Sequence, residues 1–296
     1  MDLGALDAFV AIADTGSFSA AGERLFLTQP AVSKRIAALE AQLGRRLFDR
    51  VGREVALTEA GLALLPRARR ILAELDDSRR ALGNLDAEVG GRLSLATSHH
   101  VGLHRLPPLL RAFSQSHPAV ALDIQFLDSE RAWAQVLGGR AELALTTLGP
   151  AAPPLQAVPV WDDPLEFVVA PDHPLAARRT VRLDGIAAHP AVLPDANTFT
   201  HRIVADCFAS AGLAPQLRMT TNYMETLKML VSVGLAWSVL PHTMLDAQTR
   251  VLRVPGIRLR RQLGHVSHTG RTLSNAARAF MALLDGAAGG RRTGAT

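Results

Sequence analysis

Gln29, Ser33, Lys34 and Arg35 are four polar residues gathered within two turns of a segment whose other positions repeat in a helical rhythm. A glutamine can pair with the edge of an adenine, and a serine can donate to a base or a phosphate. A lysine or arginine can pair with guanine or neutralise the DNA backbone. Such chemistry needs the N-terminal end of an exposed helix set against base edges in a groove. A second group of polar residues lies further along: Ser98-His99-His100 after an apolar run, Thr147 at the end of another, and Thr198-Phe199-Thr200-His201 before a helical stretch. Hydroxyls, imidazoles and backbone N–H groups at strand ends and helix starts can hold a small anion. Plain helix capping by Ser and Thr accounts for each of them singly just as well.

The groove-reading residues need two helices to place them. Phe18, Ala21, Leu25 and Leu27 supply one apolar set, and Val32, Ile36, Leu39 and Leu43 a second at three- and four-residue spacing. Between them Thr28 suits an N-cap and Pro30 a first helical turn, so the chain turns there and restarts. Leu3, Leu6, Phe9, Val10 and Ala13 give a preceding helix that Thr15-Gly16 stops. After Leu43-Gly44, two short apolar pieces around a charged turn read as a small β wing, with Arg50 and Arg53 where its tip meets phosphates or a neighbouring groove. An ordinary helical hairpin with a solvated polar face fits the periodicity equally.

Composition narrows the classes. The 296 residues carry a formal net charge of +5, and between Arg24 and Arg53 seven basic residues face two acidic ones. That clustering suits an anionic partner. A second basic excess, from Arg250 to Arg292, reads as solvated surface and a frayed tail. The single cysteine, Cys207, shares an apolar helical face and reads as core. No Walker loop, Gly-x-Ser-x-Gly or HExxH motif occurs, so no enzyme and no cofactor is expected. His99, His100 and His104 lack a further ligand nearby in sequence, and no metal is expected. With no export signal and no long apolar run, a cytoplasmic protein without membrane association is expected.

The first sixty or so residues resemble the head of the LysR-type transcriptional regulators, bacterial DNA-binding proteins with a winged helix-turn-helix. The resemblance rests on Phe9, Gly16-Ser17-Phe18, Ala20-Ala21, Leu25, Gln29-Pro30-Ala31-Val32-Ser33, Ile36, Leu39-Glu40, Leu43-Gly44, Leu47-Phe48, Arg50 and Leu57-Thr58-Glu59-Ala60-Gly61. It implies double-stranded promoter DNA as a partner and DNA-facing roles for Gln29, Pro30, Ser33, Lys34 and Arg53; Arg35 and Arg50 join them by their chemistry. Further on, Leu64, Ala68, Ile71, Leu75, Ser78, Leu82 and Leu85 have the spacing of a coiled-coil seam, kinked at Pro66. The stripe either packs on its own chain or pairs with a second copy. The resemblance favours a homodimer, and the family is commonly tetrameric.

From Gly90-Gly91 the texture changes to alternating strands and helices. Arg92–Thr97, Val120–Phe126 and Glu142–Thr147 read as strands of one lobe. A second series from near Leu165 reads as another, after proline punctuation at Pro150 to Pro159. The expected fold is mixed: an N-terminal all-α winged helix-turn-helix over 1–57, a long dimerisation helix over 58–89, and a two-lobed α/β effector domain of the periplasmic-binding-protein type over 90–296. Lobe one would span 90–161 plus 268–296, and lobe two 162–267. The resemblance implies a small-molecule effector, an organic or inorganic anion, in the interlobe cleft. Ser98, His99, His100, Thr147, Thr198, Phe199, Thr200 and His201 are its candidate contacts. Of these, Ser98, His100, Thr147 and Thr200 resemble anion-contacting positions of the family's sulfur-assimilation regulators, while Val101 is among the departures that leave the effector open. A two-lobed solute receptor or enzyme without a DNA role is the alternative.

Overall fold

The computed structural model describes residues 1–51, 54–85 and 88–289. The chain divides into two compact units, Met1–Leu85 and Asp86–Thr296.

In the first unit, α1 (Leu3–Thr15), α2 (Phe18–Leu25) and α3 (Gln29–Leu43) precede a hairpin of β1 (Phe48–Val51) and β2 (Glu54–Leu57), then α4 (Glu59–Gly83). Leu6, Phe9, Ile12, Val32, Ile36 and Leu39 bury the three-helix core, and the Phe48 ring closes it 5.3 Å from Phe9 and 5.8 Å from Phe18. Thr28 Oγ1 accepts the Ala31 N–H to cap α3, while Phe26 turns the chain with a positive φ of 55°. Glu40 Oε1 accepts the N–H groups of Leu47 and Phe48, at 2.6 and 3.3 Å, and so fixes the hairpin against α3. α4 runs through Pro66 without ending there. The seam divides by role: Ala68 is buried and Leu64 half-buried against this unit's own core, whereas Ile71, Ser78, Leu82 and Leu85 are exposed. Own-chain packing therefore accounts for the first part of the stripe only.

The second unit is built on a seven-stranded sheet. Its elements are β3 (Gly91–Ser98), α5 (His99–His104), α6 (Leu106–Ser116), β4 (Val120–Leu127), α7 (Ser129–Leu137), β5 (Leu143–Thr147), β6 (Leu155–Val169), α8 (Leu183–Ala187), β7 (Pro190–Leu193), α9 (Phe199–Ala209), β8 (Gln216–Thr220), α10 (Met224–Ser232), β9 (Ser238–Pro241), β10 (Arg250–Val251), β11 (Leu259–His268) and α11 (Asn275–Gly289). β3 pairs in parallel with β4 and β5, as βαβ crossovers require. Two long antiparallel strands, β6 and β11, join the lobes: they pair with each other from Leu155↔His268 to Leu165↔Leu259, and β6 then pairs with β9 and β10. β7 and β8 form a small parallel pair in lobe two.

The prolines from Pro150 to Pro159 do not simply punctuate, because β6 starts at Leu155 and carries Pro159 and Pro164 within it. Pro159 faces Gly264 where the register shifts, so the missing N–H falls at an interruption of the ladder. Gly264 is required there: a Cβ would stand 2.1 Å from the Val158 carbonyl oxygen. Each lobe has its own core. Leu93, Leu95, Phe113, Leu145 and Phe280 pack lobe one; Phe167, Phe208, Trp237 and Val239 pack lobe two, with Phe208 and Trp237 stacked at 5.4 Å. Cys207 packs at the edge of that core, and burial pushes its thiol pKa up. No helix among the described residues is long and apolar enough to cross a membrane.

Candidate functional site

At the start of α3, Gln29, Pro30 and Lys34 are exposed and Ser33 is half-buried. Gln29 Nε2 donates to Ser33 Oγ at 2.9 Å, one turn on, so both side chains lie on one helix face. Buried Val32, Ile36 and Leu39 on the other face hold that end outward. Arg35 points elsewhere. Its guanidinium donates to the Gly4 carbonyl oxygen at 3.3 Å and ties α3 to α1. Arg53 lies outside the described residues, as does the side chain of Arg50.

In the second unit a cleft of about 430 Å³, open mouth included, lies between the lobes. Of the residues expected to meet an effector, Ser98, His99, His100, Thr147, Thr198, Phe199 and Thr200 line it. His201 is not among them; its Nδ1 stands 2.8 Å from the Pro194 carbonyl oxygen. Strand and helix ends explain the grouping. Ser98 ends β3 and His100 follows it in α5, Thr147 ends β5, and Thr198 caps α9 by accepting the His201 N–H at 3.2 Å. Phe199 does more than line the cleft. Its ring reaches from lobe two to Trp133 of lobe one, 5.6 Å between centroids, and lies where a Cβ on Gly149 would come within 2.0 Å of it. The mouth is crossed by a contact between the His99 and Tyr223 rings at 4.6 Å and by His104 to Glu225 at 3.0 Å. Trp237 is fully buried in lobe two.

Two charged residues under the cleft escaped the sequence reading. Arg261 is not solvated surface: it is 4% exposed, lines the cleft, and donates from Nε to Asp163 at 2.8 Å and from Nη1 to Thr200 Oγ1 at 2.8 Å. Among the described residues its Nη2 finds no hydrogen-bond partner, and neither does Ser98 Oγ. Asp163, fully buried, also faces Arg105 Nη2 at 3.5 Å and His100 Nε2 at 3.8 Å. Burial alone would raise the Asp163 pKa, but the neighbouring His100 imidazole and the Arg261 guanidinium override it and hold it at about 2. At 3.8 Å the imidazole is beyond hydrogen-bonding distance, so the direct Arg261 contact is the stronger hold. Burial pushes the His100 pKa down, against the opposing pull of Asp163. The arrangement can receive an oxyanion on Arg261 Nη2, Ser98 Oγ and the first turn of α9.

The signal for both residues is strand parity. Leu259, Arg261 and Leu263 alternate with exposed Arg260 and Gln262, while Trp161, Asp163 and Leu165 alternate with exposed Asp162 and Pro164. Arg261 and Asp163 are direct partners in the ladder, so two inward charges neutralise each other.

Comparison with known proteins agrees with both units. Residues 3–62 match the model for bacterial regulatory helix-turn-helix proteins of the lysR family, and residues 86–289 match the LysR substrate binding domain. The chain is 32% identical over 280 residues to a RuBisCO operon transcriptional regulator of Allochromatium vinosum, covering 93% of this chain and 92% of that one. It is 76% identical over 108 residues to an HTH-type transcriptional regulator of Azotobacter vinelandii, a match spanning 36% of this chain and 75% of that one. The fold is similar to CbnR solved with its target DNA, with a TM-score of 0.66 and 24% identity over 97% of this chain and 100% of that one. Such relatives are regulators rather than enzymes, and with both domain models matched, the chain belongs to the LysR family of transcriptional regulators.

Proposed function

We propose that residues 1–57 read a promoter through Gln29, Pro30, Ser33 and Lys34, that the helix within 58–89 pairs two copies, and that the cleft within 90–296 takes a small anion whose binding alters the placement of the heads. Arg35 braces α3 in this reading, and Arg50 and Arg53 serve the wing. The observation that carries it is the pairing of an outward helix end bearing Gln29 and Ser33 with a cleft whose buried Arg261 and Ser98 keep donor groups without a partner among the described residues. Exposed Ile71 and Leu82 on α4, with exposed Leu85 just beyond it, support a dimer, since pairing would cover them. A promoter-bound regulator works in the cytoplasm.

Gln29→Ala is expected to weaken specific operator binding by about 1–3 kcal/mol and to leave non-specific binding nearly unchanged. Fluorescence anisotropy on specific and scrambled duplexes across a salt series measures both, and equal losses would exclude base reading by Gln29. The cleft is tested by thermal shift with a panel of small carboxylates and inorganic oxyanions. Ser98→Ala is expected to weaken the responding anion roughly tenfold or more, as for a lost hydrogen bond to a charged group. An unchanged midpoint concentration in that variant would remove Ser98 from the site.

A further inference from the structure

Glu130 stands at the start of α7 in lobe one, and its Oε1 accepts the Phe199 N–H, the first amide of α9 in lobe two, at 2.6 Å. The protein thus places one of its own carboxylates on a helix N-terminus, where unpaired N–H groups and the helix dipole favour an anion. Thr198 Oγ1 accepts the His201 amide in the same turn. The intervening Thr200 amide lies in the first turn of α9, where the helix itself supplies no acceptor.

A second receptor lies deeper and is independent of that helix end. Arg261 Nη2 and Ser98 Oγ belong to residues 4% and 8% exposed, line the cleft, and have no hydrogen-bond partner among the described residues. Around them the charge is unequal. The guanidiniums of Arg261 and Arg105 flank the single carboxylate of Asp163, two cations to one anion, so one positive charge is left unbalanced beneath the cleft. Nearer the mouth, Asp128 and Glu130 line the cleft with negative charge.

We infer that Glu130 is the specificity-determining residue of the effector site: it admits a ligand with one anionic group, such as a monocarboxylate or another singly charged oxyanion, and bars a second anionic group from the α9 N-terminus. The inference rests on the anion reading of the cleft. The ligand's charge meets Arg261 Nη2, Ser98 Oγ and the Thr200 amide, matching the one unbalanced cation beneath the cleft. A further carboxylate would have to expel Glu130 or stand beside it, and like charges in a half-buried site repel strongly.

The test uses the full chain as wild type, Glu130→Gln and Glu130→Ala. Each is titrated calorimetrically at pH 7.5 and constant ionic strength with acetate against malonate and butyrate against glutarate, pairs that differ by one carboxylate. The wild type is expected to bind the monoanion of each pair about tenfold or more tighter than the dianion, the size of one like-charge contact in a partly desolvated site. Glu130→Gln keeps the side chain's shape and its acceptor oxygen but removes the charge. It is expected to raise dianion affinity about tenfold more than monoanion affinity. Glu130→Ala, which also opens the Phe199 amide, should raise it at least as far. A mono-to-dianion ratio unchanged in Glu130→Gln overturns the role of Glu130, and if monoanion binding still falls in Ser98→Ala, the anion reading stands without it. If none of the four anions binds the wild type or either variant, the anion reading and the inference fall together.

Discussion

Asp163→Ala is expected to destabilise the effector unit by about 3–5 kcal/mol, because it leaves the Arg261 guanidinium buried with its carboxylate partner gone. Arg105, 3.5 Å from the same carboxylate, loses its partner too. Chemical denaturation followed by tryptophan fluorescence measures the loss, since Trp161 and Trp237 both lie in this unit. A change under about 1 kcal/mol would mean that the pair is solvated in solution, as surface ion pairs are. The acid limb follows from the same residue. Its folded pKa of about 2 lies below the ordinary 3.8, so the unfolded chain binds the proton first. The stabilisation is whole above pH about 4 and is lost as pH falls from about 4 to about 2. Asp163→Asn should flatten stability across that window, and an unaltered acid limb in that variant would contradict the assignment.

Phe9→Ala is expected to cost the DNA-reading unit about 3–5 kcal/mol, the range for deleting a fully buried phenyl ring. Phe9 packs on Phe48, the first residue of the wing, so the loss would loosen the wing and the helix core together. Differential scanning calorimetry should show the transition of the first unit moving down while that of the second stays in place. Equal shifts of both would mean that the two units melt as one.

The head was legible because its signals are local. Helical periodicity, the Thr28 cap and the glycine stop at Gly44 act within a few residues, and the helices end where those residues place them. The strand ends carrying Ser98 and Thr147 and the helix start carrying Thr200 were legible for the same reason, and the cleft gathers them. Arg261 and Asp163 were not, because a charge in a basic stretch reads as solvated until its strand, parity and cross-strand partner are all known. Those are relations across nearly a hundred residues of chain. Pro159 and Pro164 hid β6 likewise, since only the pairing with β11 shows which positions tolerate a missing N–H. Glu130 looks in sequence like an ordinary acidic residue in a first helical turn; its role comes from a neighbour in the other lobe.

The return of β11 and α11 to the first lobe has a consequence for the order in which a newborn chain becomes functional. Phe280 and Leu284 of α11 complete a core begun by Leu93, Leu95 and Phe113, so that lobe cannot close until α11 has been made. The N-terminal unit builds its core from residues between Ala5 and Leu72, which leave the ribosome first. Until α11 is made, each molecule therefore carries a finished DNA reader ahead of a sensor whose core is incomplete.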